Sequence, residues 1–257
     1  MKITFIGTGS GKTSLKRHHS SLLISSNKHN LLVDCGDGIS SALLKQNISF
    51  SSIDSILISH LHPDHYSGLA SLITQMKLVK RKKRLAIYVN SSLKSYLENL
   101  LLHSYLFKER LGFELNVISF DENDIIKVFK SFEFVSKHNS HLEKYKREIK
   151  KSEVSLVSLS FLFKDKNDSL IYTGDIGSGK DLFLFDEKSD WFITEISHIN
   201  FEDILLLKEK SNFGKIILTH IDDELEKSIH KFIKSFQNKQ KSNIIIAYDG
   251  LNLHHST

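Results

Sequence analysis

The stretch HLHPDH at residues 60–65 places four potential metal ligands within six positions of the chain. The apolar run just before it, IDSILIS, predicts a short buried strand. His60 and His62 are two residues apart, so both imidazoles point to the same side of an extended chain. Asp64 and His65 follow a proline turn and can face a neighbouring ion. Because neutral imidazole and carboxylate suit zinc, manganese or iron(II), we predict a metal site at this strand end.

The composition favours a cytoplasmic globular protein. A compact domain of 257 residues buries about 70–75% of the surface of its unfolded chain, and we expect a single domain over residues 1–257. Cys35 is the only cysteine, so no disulfide can form within the chain, which fits a reducing compartment. The first seven residues predict a strand rather than a secretion signal, and no apolar run approaches the ~20 residues that cross a membrane.

The charge of the chain gives a mild preference for anionic partners. The formal net charge is +5, and the basic residues concentrate at 77–84 and at 144–151. Runs of this kind are usually solvated helix ends, and in other cases they contact phosphate groups. Both interpretations of the two runs stay open from the sequence alone.

Apolar periodicity predicts alternating groups of strands and helices. Strands are predicted at 3–7, 20–25, 30–34, 55–59, 85–90, 114–119, 132–137, 154–164, 169–173, 191–195, 215–219 and 243–248. Helical spacing occurs at 69–76, 93–101 and 225–236. Strands followed by helices occur twice, with polar residues at the strand ends each time. This order predicts an α/β fold, a four-layer αββα sandwich of two mixed sheets flanked by helices.

A glycine-rich segment near the start resembles a phosphate-binding loop but does not fit one. Residues 7–13 read GTGSGKT, whereas that loop needs four residues between its first glycine and the Gly-Lys-Thr. The first glycine would have to stand at position 6, which is Ile6. We therefore predict a tight turn beside the metal site in place of a nucleotide triphosphate site.

Three further strand ends offer metal ligands. The predicted strands at 132–137, 169–173 and 215–219 are followed by His138, Asp175 and His220. Taken alone, each is more often a surface histidine or a turn aspartate. Together with the HLHPDH loop they indicate a site with more ligands than one loop supplies, as a hydrolytic metal centre requires.

The candidate ligands and their order along the chain resemble those of the metallo-β-lactamase superfamily, and the match spans essentially the whole chain. The set is His60, His62, Asp64, His65, His138, Asp175 and His220. The resemblance implies one ion on His60, His62 and His138. It implies a second ion on Asp64, His65 and His220, with Asp175 bridging the two. His141 is the rival for the third ligand, and we favour His138 because it stands directly at the strand end. Asp34 matches the buried aspartate that supports the ligand loop without binding metal.

Within that superfamily the chain is most similar to ribonuclease Z and its phosphodiesterase relatives. The similarity rests on GTGS at 7–10, on Arg17 ahead of two serines, and on AYDG at 247–250. Two departures put tRNA maturation in doubt. TEIS at 194–197 stands where ribonuclease Z has His-Glu-Ala-Thr, although His198 is a nearby substitute. The long arm that grips tRNA has no room in the chain, where a small basic insert at 142–151 is the only counterpart.

The resemblance implies a hydrolase with two divalent ions, zinc first and manganese or iron as alternatives. A hydroxide bridging the ions would attack a phosphodiester, either a nucleic-acid 3′ end or a cyclic or small phosphodiester. We expect Asp64 to orient the nucleophile and Glu195 or His198 to protonate the leaving group. The partner is then an anionic substrate, RNA included, and the family also suggests a homodimer. The alternatives are a thioester or lactone hydrolase, or a metal-binding sensor or partner protein with little catalysis.

Overall fold

The computed structural model describes residues 1–149, 154–210, 213–237 and 243–254. The strands in these ranges are β1 (Lys2–Gly7), β2 (Ser21–Ser26), β3 (His29–Val33), β4 (Ser55–Leu57), β5 (Leu85–Asn90), β6 (Leu115–Phe120), β7 (Ile126–Phe129), β8 (Phe132–His138), β9 (Leu159–Lys164), β10 (Ser169–Tyr172), β11 (Trp191–Glu195), β12 (Lys215–Thr219), β13 (Ile244–Ile246) and β14 (Asn252–His254). The α-helices are α1 (Ile39–Lys45), α2 (Pro63–Tyr66), α3 (Leu69–Leu78), α4 (Lys94–His103), α5 (Lys108–Leu111), α6 (Phe201–Lys210) and α7 (Glu226–Gln237). Short 3₁₀ helices occupy Phe50–Ser52, Ser91–Leu93, His141–Tyr145 and Gly179–Phe183.

The strands form two seven-stranded mixed sheets in the described ranges. The first has the order β14-β1-β2-β3-β4-β5-β6, and the second has the order β13-β12-β11-β10-β9-β8-β7. In the first sheet β3, β4, β5 and β6 run parallel, and in the second β10, β11, β12 and β13 do. The remaining neighbours are antiparallel. Each sheet therefore combines an antiparallel half with a parallel half.

The alternation of side chains along the strands explains the layering. On β3, Leu31 and Val33 belong to the apolar core between the two sheets, whereas Leu32 packs in a second core against α1, α3 and α4. On β9, Phe161 belongs to the core between the sheets and Leu162 to a third core that includes α6 and α7. A strand covered on both faces has apolar residues at successive positions, as these do. The predicted four-layer αββα sandwich is confirmed.

Residues that follow the carboxyl ends of strands supply the predicted site. Asp34 follows β3, the 60–65 loop follows β4, Asp175 follows β10 and His220 follows β12. In open α/β sheets such strand ends are where ligands bind. The backbones of Asp34 and His220 both lie in the left-handed region, with φ of 61° and 53°. Non-glycine residues adopt this region at an energetic cost, and they concentrate at functional sites.

The glycine-rich segment after β1 forms a turn next to the predicted site. An ideal Cβ placed on Gly11 would lie 3.3 Å from Oδ2 of Asp64, so the turn runs directly past the HLHPDH loop. A Cβ on Gly7 would lie 1.9 Å from the carbonyl oxygen of His19, a distance that no side chain tolerates. The glycine at position 7 is thus required by close backbone packing.

The basic run at 77–84 contains a structural arginine. Arg81 is buried, and its guanidinium donates hydrogen bonds to the carbonyl oxygens of Phe50, Lys83 and Arg84. In the second run, residues 150 and 151 lie outside the described residues. None of the helices in the described ranges combines the length and the apolarity needed to cross a bilayer.

Candidate metal centre

The first ligand cluster combines three histidines with one aspartate. The ligand atoms of its members all lie within 4.8 Å of one another; these members are His60, His62, His141 and Asp175. Nε2 of His141 is 3.0 Å from Nδ1 of His62 and 3.7 Å from Oδ2 of Asp175. Three imidazoles and a carboxylate at these separations match the donor set of a zinc site.

The second cluster shares Asp175 with the first. Its members, again with ligand atoms within 4.8 Å of one another, are Asp64, His65, Asp175 and His220. Nε2 of His65 is 3.3 Å from Oδ1 of Asp175, and Nε2 of His220 is 3.2 Å from Oδ2 of the same carboxylate. Nε2 of His220 is also 3.3 Å from Oδ2 of Asp64. The two carboxylate oxygens of Asp175 therefore contact ligands of both clusters.

The structure corrects the choice between His138 and His141. His138 ends β8, is about one third exposed and pairs with Glu122 at 3.7 Å, away from the ligand clusters. His141 is reached only after the chain leaves the strand through Asn139 and enters a 3₁₀ helix. Strand alternation determines where His138 points, but the histidine that lies with the other candidate ligands is His141, in the turn that follows. The Asn-Ser pair before His141 was the sequence signal for such a turn.

The unpartnered ring nitrogens test whether metal ions fit this site. Ser59 Oγ donates to Asp34, so Nδ1 of His60 donates to Ser59 Oγ at 3.0 Å. Nδ1 of His65 donates to Asp34 Oδ2 at 2.8 Å. Nε2 of His60 is buried without a hydrogen-bond partner, and the buried Nε2 of His65 makes no hydrogen bond but faces the candidate ligand carboxylates of Asp175 and Asp64 at 3.3 and 3.4 Å. Buried polar atoms are nearly always satisfied, and ligand histidines are typically held through the other ring nitrogen. The donor set therefore fits divalent metal ions.

Asp34 is hydrogen-bonded to two residues of the segment that carries the candidate ligands, Ser59 and His65. It is fully buried, and its carboxylate accepts hydrogen bonds from the backbone N–H and Oγ of Ser59, both at 2.8 Å. It also accepts from Nδ1 of His65 at 2.8 Å and from the hydroxyl of Tyr172 at 3.4 Å. Burial raises the pKa of Tyr172 well above its ordinary value, and the negative charge of Asp34 adds to this effect. The phenol therefore keeps its proton and remains a hydrogen-bond donor. Asp34 thereby orients His65 directly and His60 through Ser59.

Glu195 and His198 form a pair at the edge of the clusters. Glu195 is buried, and its Oε1 accepts from Nδ1 of His198 at 2.8 Å. Its Oε2 accepts from the backbone N–H groups of Ser197 and His198, each at 2.8 Å. The His198 ring lies 4.9 Å from the ring of His141 and 5.7 Å from that of His220. The carboxylate therefore orients an imidazole that borders both ligand clusters and is about one third exposed.

Comparison with known proteins identifies the family. The family model described as Anti-Pycsar protein Apyc1 matches residues 1–244. The chain belongs to this family. Part of the chain is also similar to ribonuclease Z of Prochlorococcus marinus strain MIT 9301, with 37% identity over 132 residues, which are 49% of this chain and 41% of that protein. Ribonuclease Z of Aeropyrum pernix is 36% identical over 127 residues, covering 49% of this chain and 40% of that protein. The aligned region thus spans about two fifths of these relatives.

Solved structures confirm the fold of this Apyc1-family chain. The metallo-β-lactamase fold protein YhfI from Bacillus subtilis superposes with a TM-score of 0.77 at 20% identity, over 98% of this chain and 99% of that one. The short form of human tRNase Z gives 0.71 at 19% identity, over 99% of both chains. Zn²⁺-bound PqqB from Methylobacterium extorquens gives 0.69 at 11% identity, over 99% of this chain and 100% of that one. The chain has the metallo-β-lactamase fold.

A mostly apolar cavity of about 520 Å³ opens beside His62 in the Apyc1-family chain. The hydroxyls of Tyr66 and Tyr96 are 2.5 Å apart, and the ring of Tyr145 lies 6.1 Å from that of His62. Other parts of the lining are Leu61, Leu93, Leu142 and Val154. Tyr66 lies on α2, Tyr96 on α4, and Leu142 and Tyr145 on the His141–Tyr145 helix, and periodicity alone did not identify them as neighbours. Small-molecule sites are typically clefts of this size and composition.

In the absence of bound metal, the histidines of the two clusters differ in protonation state. Burial lowers the pKa of His60 well below its ordinary value and that of His141 to about 3. Burial also opposes the charge of His65, but Asp175 and Asp34 outweigh it and raise the pKa of His65 well above its ordinary value. Asp175 likewise raises the pKa of His220 against the effect of burial. The first cluster therefore offers neutral imidazoles near neutral pH, whereas the second must release protons when it binds a cation.

Acid should destabilise the metal-free protein through its buried neutral histidines. An unfolded histidine titrates at about 6.5, whereas His141 in the folded chain has a pKa of about 3. Between these values the unfolded state binds the extra proton, so the free energy of unfolding falls as the pH falls, by up to about 1.4 kcal/mol per pH unit at this residue. The raised pKa values of His65 and His220 have the opposite sign and remove stability only as the pH rises above about 6.5.

Urea unfolding of the chelator-treated protein between about pH 6 and about pH 4 checks this expectation. The wild type should lose stability with acidification more steeply than His141→Gln, which cannot take up that proton on unfolding. Equal pH slopes for the two chains would contradict the buried neutral state of His141.

Proposed function

We propose that the chain is a metal-dependent phosphodiesterase that holds two divalent ions and acts on a small or cyclic phosphodiester. The observation that carries this proposal is the sharing of Asp175 by two ligand clusters, each of which contains one histidine, His60 or His65, whose buried Nε2 makes no hydrogen bond. One ion would be held by His60, His62 and His141, and the other by Asp64, His65 and His220. The partial similarity to ribonuclease Z supports phosphodiester chemistry at such a centre.

The ions, when bound, supply a nucleophile at neutral pH and Lewis-acid stabilisation of the phosphoryl oxygens. The chain orients the reacting groups. Despite burial, His220 and His65 lower the pKa of Asp64 far below its ordinary value, so this carboxylate stays ionised and can accept a hydrogen bond from the attacking group. His198, oriented by Glu195 at the border of both clusters, can donate a proton to the leaving oxygen.

The cavity beside His62 favours a small phosphodiester over a nucleic-acid end. Its volume of about 520 Å³ suits one substituent of nucleoside size, and Tyr66, Tyr96 and Tyr145 offer faces and edges for a planar ring. Stacking of a nucleic-acid base on an aromatic side chain is worth about 1–3 kcal/mol. A 3′ end of RNA needs a basic track along several nucleotides, which the described part of this cavity does not provide.

Hydrolysis of bis(p-nitrophenyl) phosphate tests the proposed activity. Protein loaded with zinc or manganese should hydrolyse it, and Asp64→Ala should lower the rate more than about 100-fold because that residue both binds metal and orients the nucleophile. Asp186→Ala removes an exposed carboxylate away from the clusters and serves as the matched control. Undiminished activity in Asp64→Ala would contradict the proposal.

A panel of substrates distinguishes the alternative functions of the same metal centre. We expect a cyclic nucleoside monophosphate to be cleaved faster than an RNA oligonucleotide of the same base composition. Faster cleavage of thioesters or lactones than of either phosphodiester would favour the alternative hydrolase. Two bound ions without turnover of any of these substrates would favour a metal-binding sensor.

A further inference from the structure

We propose that Asp181 is a positioning residue that fixes His141 against Asp175 and so assembles the first ligand cluster; this inference rests on the metal site of the proposed function. Asp181 lies in the Gly179–Phe183 helix and is 8% exposed. The side chain of Asp181 accepts hydrogen bonds from Ser140, Gly177 and Ser178, and none of these three residues belongs to a ligand cluster. Its effect on the site is therefore exerted through the backbone segments that it holds together.

One carboxylate oxygen of Asp181 joins two segments that carry ligands. Oδ2 accepts hydrogen bonds from the backbone N–H of Ser140 at 3.2 Å and from its Oγ at 2.7 Å. The same oxygen accepts from the N–H groups of Gly177 at 2.9 Å and Ser178 at 3.2 Å. Ser140 directly precedes His141. Hydrogen bonds to an ionised carboxylate are stronger than those to a neutral acceptor. The Asp181 oxygen therefore holds the two segments together strongly.

The two segments are in direct contact at this junction. Gly177 is two residues after Asp175, and an ideal Cβ on Gly177 would lie 2.5 Å from both the carbonyl oxygen and Oγ of Ser140. A side chain at position 177 would therefore force the segments apart. The glycine allows the approach, and the Asp181 carboxylate holds it.

Asn139 secures the other side of the same turn. Its Nδ2 donates to the carbonyl oxygen of Thr173 at 3.3 Å, and its Oδ1 accepts from the N–H of His141 at 3.1 Å. Asn139 thus ties the turn to the end of β10, whereas Asp181 ties it to the loop after Asp175. The backbone of His141 is held between these two anchors, and its ring reaches His62 from there.

Loss of the Asp181 carboxylate should therefore affect one ion and spare the other. Without this acceptor the turn that carries His141 is released from the loop after Asp175. The ion held by His60, His62 and His141 should bind about 10–100-fold more weakly, which is the usual effect of removing a residue that orients a ligand. The ion held by Asp64, His65 and His220 should retain most of its affinity, because these three residues come from other strand ends and only Asp175 is shared with the first cluster.

Metal titration on two single-site backgrounds tests this difference without measuring activity. Asp64→Ala should isolate the first cluster and His62→Ala the second, with Zn²⁺ affinity measured against a competing chelator. Adding Asp181→Ala should weaken binding about 10–100-fold on the Asp64→Ala background and leave it within about 3-fold on the His62→Ala background. Asp181→Asn keeps an acceptor oxygen and should give an intermediate loss.

The control variant and the results that would overturn the role of Asp181 are judged from metal affinity and do not depend on enzyme activity. Asp203→Ala removes a carboxylate that caps α6 beside the same 3₁₀ helix, where its Oδ2 accepts from Asn200, and it should change neither affinity. Equal weakening on both backgrounds, or none on either, would overturn the positioning role. Two bound ions with no phosphodiester hydrolysis would overturn the proposed function and leave the role of Asp181 intact.

Discussion

Asp175→Asn is expected to release both metal ions together and to abolish hydrolysis. The two oxygens of this carboxylate lie 3.2–3.7 Å from Nε2 of His65, His141 and His220, so it contacts ligands of both clusters. The substitution keeps the shape of the side chain but removes the charge. We expect both affinities to fall by more than about 100-fold, beyond the 10–100-fold typical of residues that only orient ligands.

Elemental analysis after dialysis against a weak chelator measures this loss directly. The matched control is Asp186→Asn, which changes an exposed carboxylate and should retain both ions. Loss of one ion with retention of the other would show that Asp175 does not bridge the two sites. Parallel measurement of unfolding by circular dichroism separates ion loss from a failure to fold.

His198→Ala is expected to slow the cleavage of poor leaving groups far more than that of good ones. Glu195 holds the His198 ring through Nδ1 at 2.8 Å, at the border of both ligand clusters. A general acid of this kind contributes about 10²–10⁴-fold when the leaving group needs a proton. Nitrophenolate leaves without one, so turnover of bis(p-nitrophenyl) phosphate should fall by less than about 10-fold, whereas alkyl or nucleoside diesters should show the full loss.

The comparison of the two substrates distinguishes a proton donor from a structural residue. His103→Ala removes an exposed histidine on α4 and should leave both rates unchanged. Equal losses on good and poor leaving groups in His198→Ala would rule out its role as the acid. Glu195→Gln weakens the hydrogen bond that orients the His198 ring. It should also slow the cleavage of poor leaving groups more than that of good ones, but by a smaller factor than His198→Ala.

The sequence predicted those features that depend on strands and their ends. Asp64, His65, Asp175 and His220 were placed because each follows an apolar run, and the ends of neighbouring strands meet in this fold. His138 was favoured over His141 for the first cluster, whereas His141 lies in it, because strand alternation determines the direction of His138 but not the path of the turn after it. Strands β7 and β14 were missed because they are short and partly exposed, with burial at few of their positions.

The cavity could not be derived from periodicity for a different reason. Tyr66, Tyr96 and Tyr145 are far apart in the chain, and each lies on a helix whose pattern predicts only which face is buried. Their meeting depends on how α2, α4 and the His141–Tyr145 helix pack around the 60–65 loop. Such contacts between elements are a property of the tertiary structure and leave no local signal.

The five-residue helix His141–Tyr145 carries a candidate metal ligand at its first position, and Leu142 and Tyr145 of the same helix line the cavity. Because His141, Leu142 and Tyr145 share one short helix, we expect occupancy of the cavity and occupancy of the proposed first metal site to be thermodynamically linked. Linkage is reciprocal: whatever factor a bound organic group applies to the affinity for the ion, the ion applies to the affinity for that group. The concentration of free metal ions would then help to determine which organic groups the chain retains.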